Sequence, residues 1–393
     1  MPEIPALETL ESHPQSGKTS LAELAAFFLR LGTTAFGGPA AHIAMMEEEL
    51  VRRRRWLSRE KFLDLLGASN LIPGPSSTEL AIHIGYLRAG WTGWLVAGIC
   101  FILPASVIVA ALAWAYLHFG RLPATSAILY GVKPIVIAVI FQAVWGLGRT
   151  AIKTTYLGLV AAVSLVFAFL GLHPLLLLLL VGGAACLAEL KTLRGSSARV
   201  FALGTTTVGV AATATSFSLA SLFLVFLKVG AVVFGSGYVL LAFLRADLVT
   251  QRVWLTDAQL VDAVAVGQVT PGPVFTTATF IGYLLGGVRG ALVATAGIFI
   301  PGFLLVAASG PLVPRIRKSK MAGAFLDGVN GGSLALMAVV SWQLCRASLV
   351  DVVTIVLSAA SLLALWRWRM NSAWLVFVGA VVGILAHFLH LNS

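Results

Sequence analysis

Residues 70–75 read NLIPGP, and residues 268–273 read QVTPGP. Both stretches sit inside hydrophobic segments. Proline lacks the backbone N–H of a helical hydrogen bond and collides with the turn behind it. It also pushes the residue before it out of the helical region. In hydrocarbon, backbone without a partner is costly, so a broken helix survives only inside protein or beside a wet cavity. Two identical breaks in one apolar chain therefore mark a built feature and prompt a search for a repeat.

The repeat is visible at a nearly constant offset. A shift of 198 residues pairs Arg30 with Lys228, Phe36 with Phe234, Gly37 with Gly235, Trp56 with Trp254 and Asp64 with Asp262. It also lays Pro73-Gly74-Pro75 on Pro271-Gly272-Pro273. Beyond the prolines the shift becomes 197, pairing Gly85-Tyr86 with Gly282-Tyr283, Pro104 with Pro301 and Arg149 with Arg346. The expected organisation is a flexible tail over 1–20, a first transmembrane repeat over 21–192, a linker over 193–217 and a second repeat over 218–393. The linker's small polar residues and lack of a core pattern suit a joint.

Of the 393 residues, 59% are hydrophobic and 11% are charged. That is too little charge to cover a soluble domain of this length. Apolar runs of about 20 residues recur, each long enough for a bilayer core. They are continuous rather than alternating, which disfavours a β-barrel. The fold class expected is an all-α polytopic membrane protein. The net charge of +11 lies mostly in the loops between apolar segments. It is read as membrane orientation, and no nucleic-acid module accompanies it. Cys100, Cys186 and Cys345 stand far apart without metal-ligand spacing, so neither a metal nor a cofactor is expected.

In each copy a first apolar segment, about 21–45 and 219–243, is interrupted by FGGP or FGSG. A polar loop follows, then WLS or WLT, with Ser58 and Thr256 as helix N-caps. That helix runs into PGP. Four cleaner segments come next, about 91–117, 125–148, 155–171 and 173–190, with counterparts at about 288–310, 323–345, 350–366 and 373–390.

Loop charge gives the orientation of the copies. Arg52, Arg53, Arg54, Arg55, Arg59 and Lys61 crowd one loop of the first copy, where the second has only Arg245 and Arg252 beside two aspartates. Two segments later the bias reverses, with Arg315, Arg317, Lys318 and Lys320 against Arg121 alone. Opposite asymmetry predicts inverted repeats. Inversion requires an odd number of crossings, so each copy is read as five crossings plus a re-entrant PGP element, with both termini outside. If the FGGP segments are re-entrant too, four crossings and parallel copies result.

Broken elements at matching positions of inverted repeats point to a transport site near the midplane. A helix restarting after PGP directs free N–H groups and about half a positive charge at the break. The residues just past the prolines are hydroxyl-rich, with Ser76, Ser77 and Thr78 in the first copy and Thr276, Thr277 and Thr279 in the second. Asn70 and Gln268 stand one turn before the break, and Gly37, Gly38 and Gly235 allow close backbone approach. Arg30 and Lys228 lie about mid-depth, where a cation is costly enough to imply a function. Together with Pro73, Gly74, Pro75, Pro271, Gly272 and Pro273, these residues form a donor set for an oxyanion. Glu79, His42 and His83 are candidates for proton coupling, and Glu79 has no acidic counterpart in the second copy. Asp64 and Asp262 are read as helix-dipole residues.

The pattern FGGPAAHIAMMEEELV…WLS…NLIPGPSSTELAIHIGY, echoed as FGSGYVLLAFLRADLV…WLT…QVTPGPVFTTATFIGY, resembles the chromate ion transporter family in its two-domain long-chain form. The resemblance implies a multi-pass inner-membrane exporter of chromate, driven by the proton motive force. Sulfate is a tetrahedral dianion of similar size and suits the same donors. An anion channel and a scaffold are the rival classes. A homodimer is compatible with the sequence. No His-Glu-x-x-His, Gly-x-Ser-x-Gly or paired catalytic aspartates suggest an enzyme.

Overall fold

The computed structural model describes residues 19–36, 38–120, 122–194, 217–234, 239–368, 370 and 372–389. Most of the expected tail, most of the expected linker, Gly37 and Gly235 lie outside the described residues. Every regular element within them is helical. The first repeat comprises α1 (Leu21–Thr34), α2 (Gly38–Met46), a π-helical turn (Glu47–Arg53), α3 (Arg59–Ser69), α4 (Ser76–Phe119), α5 (Pro123–Ala151), α6 (Thr155–Phe169) and α7 (Pro174–Arg194). The second follows in the same order: α8 (Leu219–Val232), α9 (Leu240–Leu244), a π-helical turn (Arg245–Gln251), α10 (Asp257–Val269), a 3-10 turn (Val274–Thr276), α11 (Thr277–Lys318), α12 (Lys320–Ser348), α13 (Val352–Arg367) and α14 (Ser372–Phe388).

The caps fall where the sequence predicts. Ser58 Oγ accepts from the Lys61 N–H at 3.2 Å. Thr256 Oγ1 accepts from the Gln259 N–H at 3.2 Å within a capping box.

α4 has 44 residues and as one rod would be about 66 Å long, twice a bilayer core. It is a hairpin instead. Ala89 (φ −142°) and Gly90 (φ 64°, ψ −148°) leave the helical region, and Gly85 on the first arm packs directly on Gly93 of the second. α11 folds back in the same way at Gly286–Gly287, with Gly282 against Gly290. Each element after PGP thus returns the way it came before a long crossing helix begins. The segments Ser76–Phe119, Ser126–Arg149, Val274–Ser309 and Lys320–Ser348 are long and apolar enough to span a membrane.

The repeats interlock rather than sit side by side. α5 packs on α13 and α14, and α12 packs on α6 and α7. Their directions follow from the contacts. Tyr130 meets Asp351 and Trp145 meets Trp366, so α5 and α13 run parallel. α13 reverses after α12 through the short joint at Leu349–Asp351. α5 and α12 therefore run in opposite directions. In agreement, Gly148 packs on Leu334, the counterpart of Ile137, rather than on Cys345, its own counterpart. The two repeats are inverted.

Glycine sets the tightest crossing. Gly131 and Gly383 bring α5 and α14 into backbone contact, and a Cβ on Gly383 would stand 2.9 Å from the Gly131 nitrogen. Gly383→Ala is expected to cost about 1–3 kcal/mol through overpacking. Gly183→Ala on α7 meets no atom within 4 Å and should be neutral or stabilising. Thermal unfolding of the two purified variants would separate them, and equal melting would refute the close-packing argument.

Candidate functional site

Four interruptions meet between the repeats. The Gly74 N–H donates to the Val233 carbonyl at 2.7 Å, and the Gly272 N–H donates to the Ala35 carbonyl at 3.0 Å. Ala35 and Val233 cap the C-termini of α1 and α8. Each PGP turn therefore closes on the FGGP or FGSG break of the opposite repeat. A broken helix leaves unpaired carbonyls at its end. Here one break satisfies another, which makes broken backbone tolerable inside a membrane protein.

Glycine is required at both junctions. Gly74 has φ 131° and Gly272 φ 87°, conformations that side-chain-bearing residues rarely adopt. A Cβ on Gly272 would lie 2.5 Å from the Ala105 Cβ and 3.1 Å from the Gly32 carbonyl oxygen. A Cβ on Gly74 would overlap the Glu79 carboxylate.

α4 starts at this junction with Ser76, Ser77, Thr78 and Glu79 all buried. The Thr78 and Glu79 N–H groups return to the Pro75 carbonyl at 2.7 and 3.1 Å. The N–H groups of Ser76 and Ser77 bond to no described residue. His42, fully buried on α2, places Nε2 at 3.1 Å from the Ala35 carbonyl and Nδ1 at 3.3 Å from Ser77 Oγ. A carbonyl only accepts, so Nε2 carries the hydrogen, and in the neutral ring Nδ1 accepts from Ser77. His42 thus ties the first break to the restarting helix.

Glu79 is fully buried and neither carboxylate oxygen has a hydrogen-bond partner. It lies between Gly74 of its own repeat and Gly302 on α11, where a Cβ would stand 3.7 Å from Oε1. His83, one turn further along α4, reaches Ser309 Oγ of α11 at 3.5 Å. Spacing of i,i+4 puts Glu79 and His83 on one helix face, turned toward the other repeat.

The second copy is built differently. Thr276 Oγ1 donates to the Pro273 carbonyl and Thr277 Oγ1 to the Val274 carbonyl, both at 2.8 Å. Gln268 is buried, whereas Asn70 is exposed at the end of α3. Hydroxyl and amide donors at the junction therefore come unequally from the two copies.

The cations of the first helices are turned toward other partners. Lys228 pairs with buried Asp247 of the second π-helical turn. Arg30 is exposed in a cleft of about 360 Å³ that also takes Glu48, Glu49 and Arg53. Neither lies among the contacts joining the four breaks. Asp247 and Glu49 are repeat partners, but Asp247 takes Lys228 whereas Glu49 takes Arg54, so only the second copy pairs its acid with the cation of its first helix. Lys228→Gln would leave the Asp247 carboxylate buried and alone, costing about 3 kcal/mol. Arg30→Gln at an exposed position should stay within about 0.5 kcal/mol. Unfolding curves of the two variants check the difference, and equal losses would contradict it.

Sequence reasoning also missed the partners of Asp262. This residue meets Tyr116 and Lys133 of the first repeat, neither of which has a repeat counterpart of the same chemistry.

A family model described as Chromate transporter matches the chain twice, over residues 22–187 and 220–384. The chain belongs to the chromate transporter family. It is 33% identical over 375 residues to a chromate transport protein of Cupriavidus metallidurans, covering 94% of each chain. It is 32% identical over 380 residues to a probable chromate transport protein of Synechococcus elongatus, covering 93% of this chain and 95% of the relative. A chromate transport protein of Pseudomonas aeruginosa is 33% identical over 385 residues, with 93% and 92% covered. No solved structure matches significantly. The family's twofold match and the spanning helices make this a multi-pass membrane transporter.

Proposed function

We propose that this protein exports chromate across the cytoplasmic membrane, driven by the proton motive force, with the four-break junction as its anion site. The observation that carries the reading is the reciprocal pair of backbone hydrogen bonds, Gly74 to Val233 and Gly272 to Ala35. It joins broken helices of two inverted repeats at one level, as alternating access around a fixed site requires. The free N–H groups of Ser76 and Ser77, at a helix N-terminus, supply donors and partial positive charge for an oxyanion. Gly38, Gln268, Pro73, Pro75, Pro271 and Pro273 shape the surrounding backbone. Glu79, with His83 beside it and His42 behind, is the proton-carrying group of this reading. A buried carboxyl without partners is too costly to persist without a role. Arg30, exposed on α1, then draws anions toward the first helices from outside the junction, while Lys228, held by Asp247, takes no direct part.

Uptake into inverted membrane vesicles tests this. Chromate should accumulate under an imposed proton gradient and stop when the gradient is collapsed. Accumulation unaffected by the collapse would indicate a channel. Excess sulfate that abolishes uptake would identify a general tetrahedral-dianion carrier.

A further inference from the structure

Asp262 on α10 is 4% exposed and stands where two helices of the other repeat converge. The Tyr116 hydroxyl, from the last turn of α4, donates to its Oδ2 at 2.9 Å. The Lys133 ammonium of α5 lies 3.0 Å from its Oδ1, outside hydrogen-bond geometry, so that contact is an ion pair held by charge alone. The Lys133 side chain is 23% exposed against 5% for the carboxylate, so the cation is the reachable member. The repeat supplies Asp64 opposite Asp262, but Val313 and Asn330 stand where Tyr116 and Lys133 would be. The triad is therefore confined to one half of the molecule. On the orientation read from loop charge, Tyr116 and Lys133 fall in the outer half, away from the Arg149 end of α5.

We propose that Lys133 is a second oxyanion position in the outer half of the path, and that the Asp262 carboxylate and the anion compete for it. The proposal rests on the transport reading above. With Asp262 ionised, the Lys133 charge is met and α4 and α5 are fastened to α10. A proton taken up by Asp262 from the aqueous phase removes that counter-charge. Lys133 is then an unpaired cation in a low-dielectric place, and a tetrahedral dianion restores the balance. When the proton leaves, the carboxylate reclaims Lys133 and displaces the anion. Proton uptake and anion binding at this position thus favour one another, by the reciprocity of linked equilibria. The outward step itself therefore draws on the membrane-potential part of the proton motive force, which expels a dianion.

Other charged or titratable groups lie on the elements packed against α10, among them Glu79, His83, Arg88 and His118 on α4, Tyr130 and Arg149 on α5, and Lys320 and Asp327 on α12. Asp257 on α10 pairs with Arg245, and Asp247 of the same π-helical turn pairs with Lys228. α11 brings Tyr283 and Arg289, α12 brings Arg346 and α14 brings His387. Among the described residues only Tyr116 and Lys133 make a side-chain hydrogen bond or ion pair with Asp262.

The test adds chromate, and separately sulfate, to weakly buffered purified protein while a pH indicator follows proton uptake and titration calorimetry follows binding. Wild type should take up about one proton per anion bound at this position. Asp262→Asn should bind the anion with that uptake lost, and its gradient-driven accumulation in vesicles should fall to background. Lys133→Gln should lose the uptake and the associated binding phase, and Lys133→Arg should restore both. Unchanged proton uptake in Asp262→Asn, or unchanged binding in Lys133→Gln, overturns the proposal. Asp262-dependent uptake on sulfate in a protein that accumulates no chromate would keep the proposal and remove the chromate reading. Absence of all oxyanion binding would remove both.

Discussion

Glu79→Gln is expected to abolish gradient-driven chromate accumulation while leaving the protein as stable as the wild type, or more stable. The side chain is fully buried and both carboxylate oxygens are unpartnered. An ionised carboxylate so placed costs several kcal/mol, and replacing a buried charge by a neutral isostere often stabilises. Glutamine keeps the shape and removes the exchangeable proton. A purely structural Glu79 would lose stability and activity together. The decisive measurement is therefore paired: melting temperature of the purified variant, and vesicle uptake with and without the gradient. Uptake at the wild-type level would remove Glu79 from the proton route. His42, at the junction, and His83, one turn beyond Glu79, would then be the groups to test.

Gly272→Ala should lose stability and transport at once. Three effects act at this position. The backbone φ of 87° disfavours any residue with a Cβ, by about 1–2 kcal/mol. The new methyl would stand 2.5 Å from the Ala105 Cβ, on the second arm of α4, which must move by about an ångström to reach ordinary contact distance. That overpacking adds about 1–3 kcal/mol. Any such movement also stretches the Gly272 N–H bond to the Ala35 carbonyl, one of the two backbone links between the repeats. Gly287→Ala is the matched control. It has φ 60° and ψ −149°, a region glycine alone occupies readily, but a methyl there would meet no atom within 4 Å, so only a conformational cost of about 1–3 kcal/mol applies. Thermal unfolding should rank wild type above Gly287→Ala, and Gly287→Ala well above Gly272→Ala, with transport surviving in the control alone. If the two alanines melt alike, crowding at the junction contributes nothing.

Much of the architecture was legible in the chain. Offsets of 198 and 197 exposed the repeat, and loop charge exposed its inversion, because orientation in a membrane is set by where Lys and Arg fall. The re-entrant PGP elements were legible because proline acts through its own covalent geometry, whatever surrounds it. The second reversal, at Gly90 and Gly287, was not read from the chain: a lone glycine in an apolar helix shows its positive φ only once the fold is known.

The sequence was silent on partners. Arg30 and Lys228 looked like a matched pair of site cations, yet Lys228 is neutralised by Asp247 and Arg30 faces a cleft with Glu48 and Glu49. Asp262 looked like a dipole residue and proved to join two helices of the other repeat. Thr276 looked like a free donor and is committed to its own turn. For Lys228, Asp262 and Thr276 the neighbour was not legible, since a buried polar group bonds to whatever the packing brings within about 3 Å.

By itself, then, the sequence determined the helical membrane class, the doubled and inverted chain, and the positions at which helices must stop. These follow from hydrophobicity, charge and the backbone limits of proline and glycine, all of them local properties. Only the tertiary structure decided that each PGP turn closes on the opposite repeat's first break, that Glu79 stands there without a partner, and that Lys133 meets Asp262. Those facts depend on the interlocking of α5 with α13 and α14 and of α12 with α6 and α7, which sets distances between residues far apart in the chain.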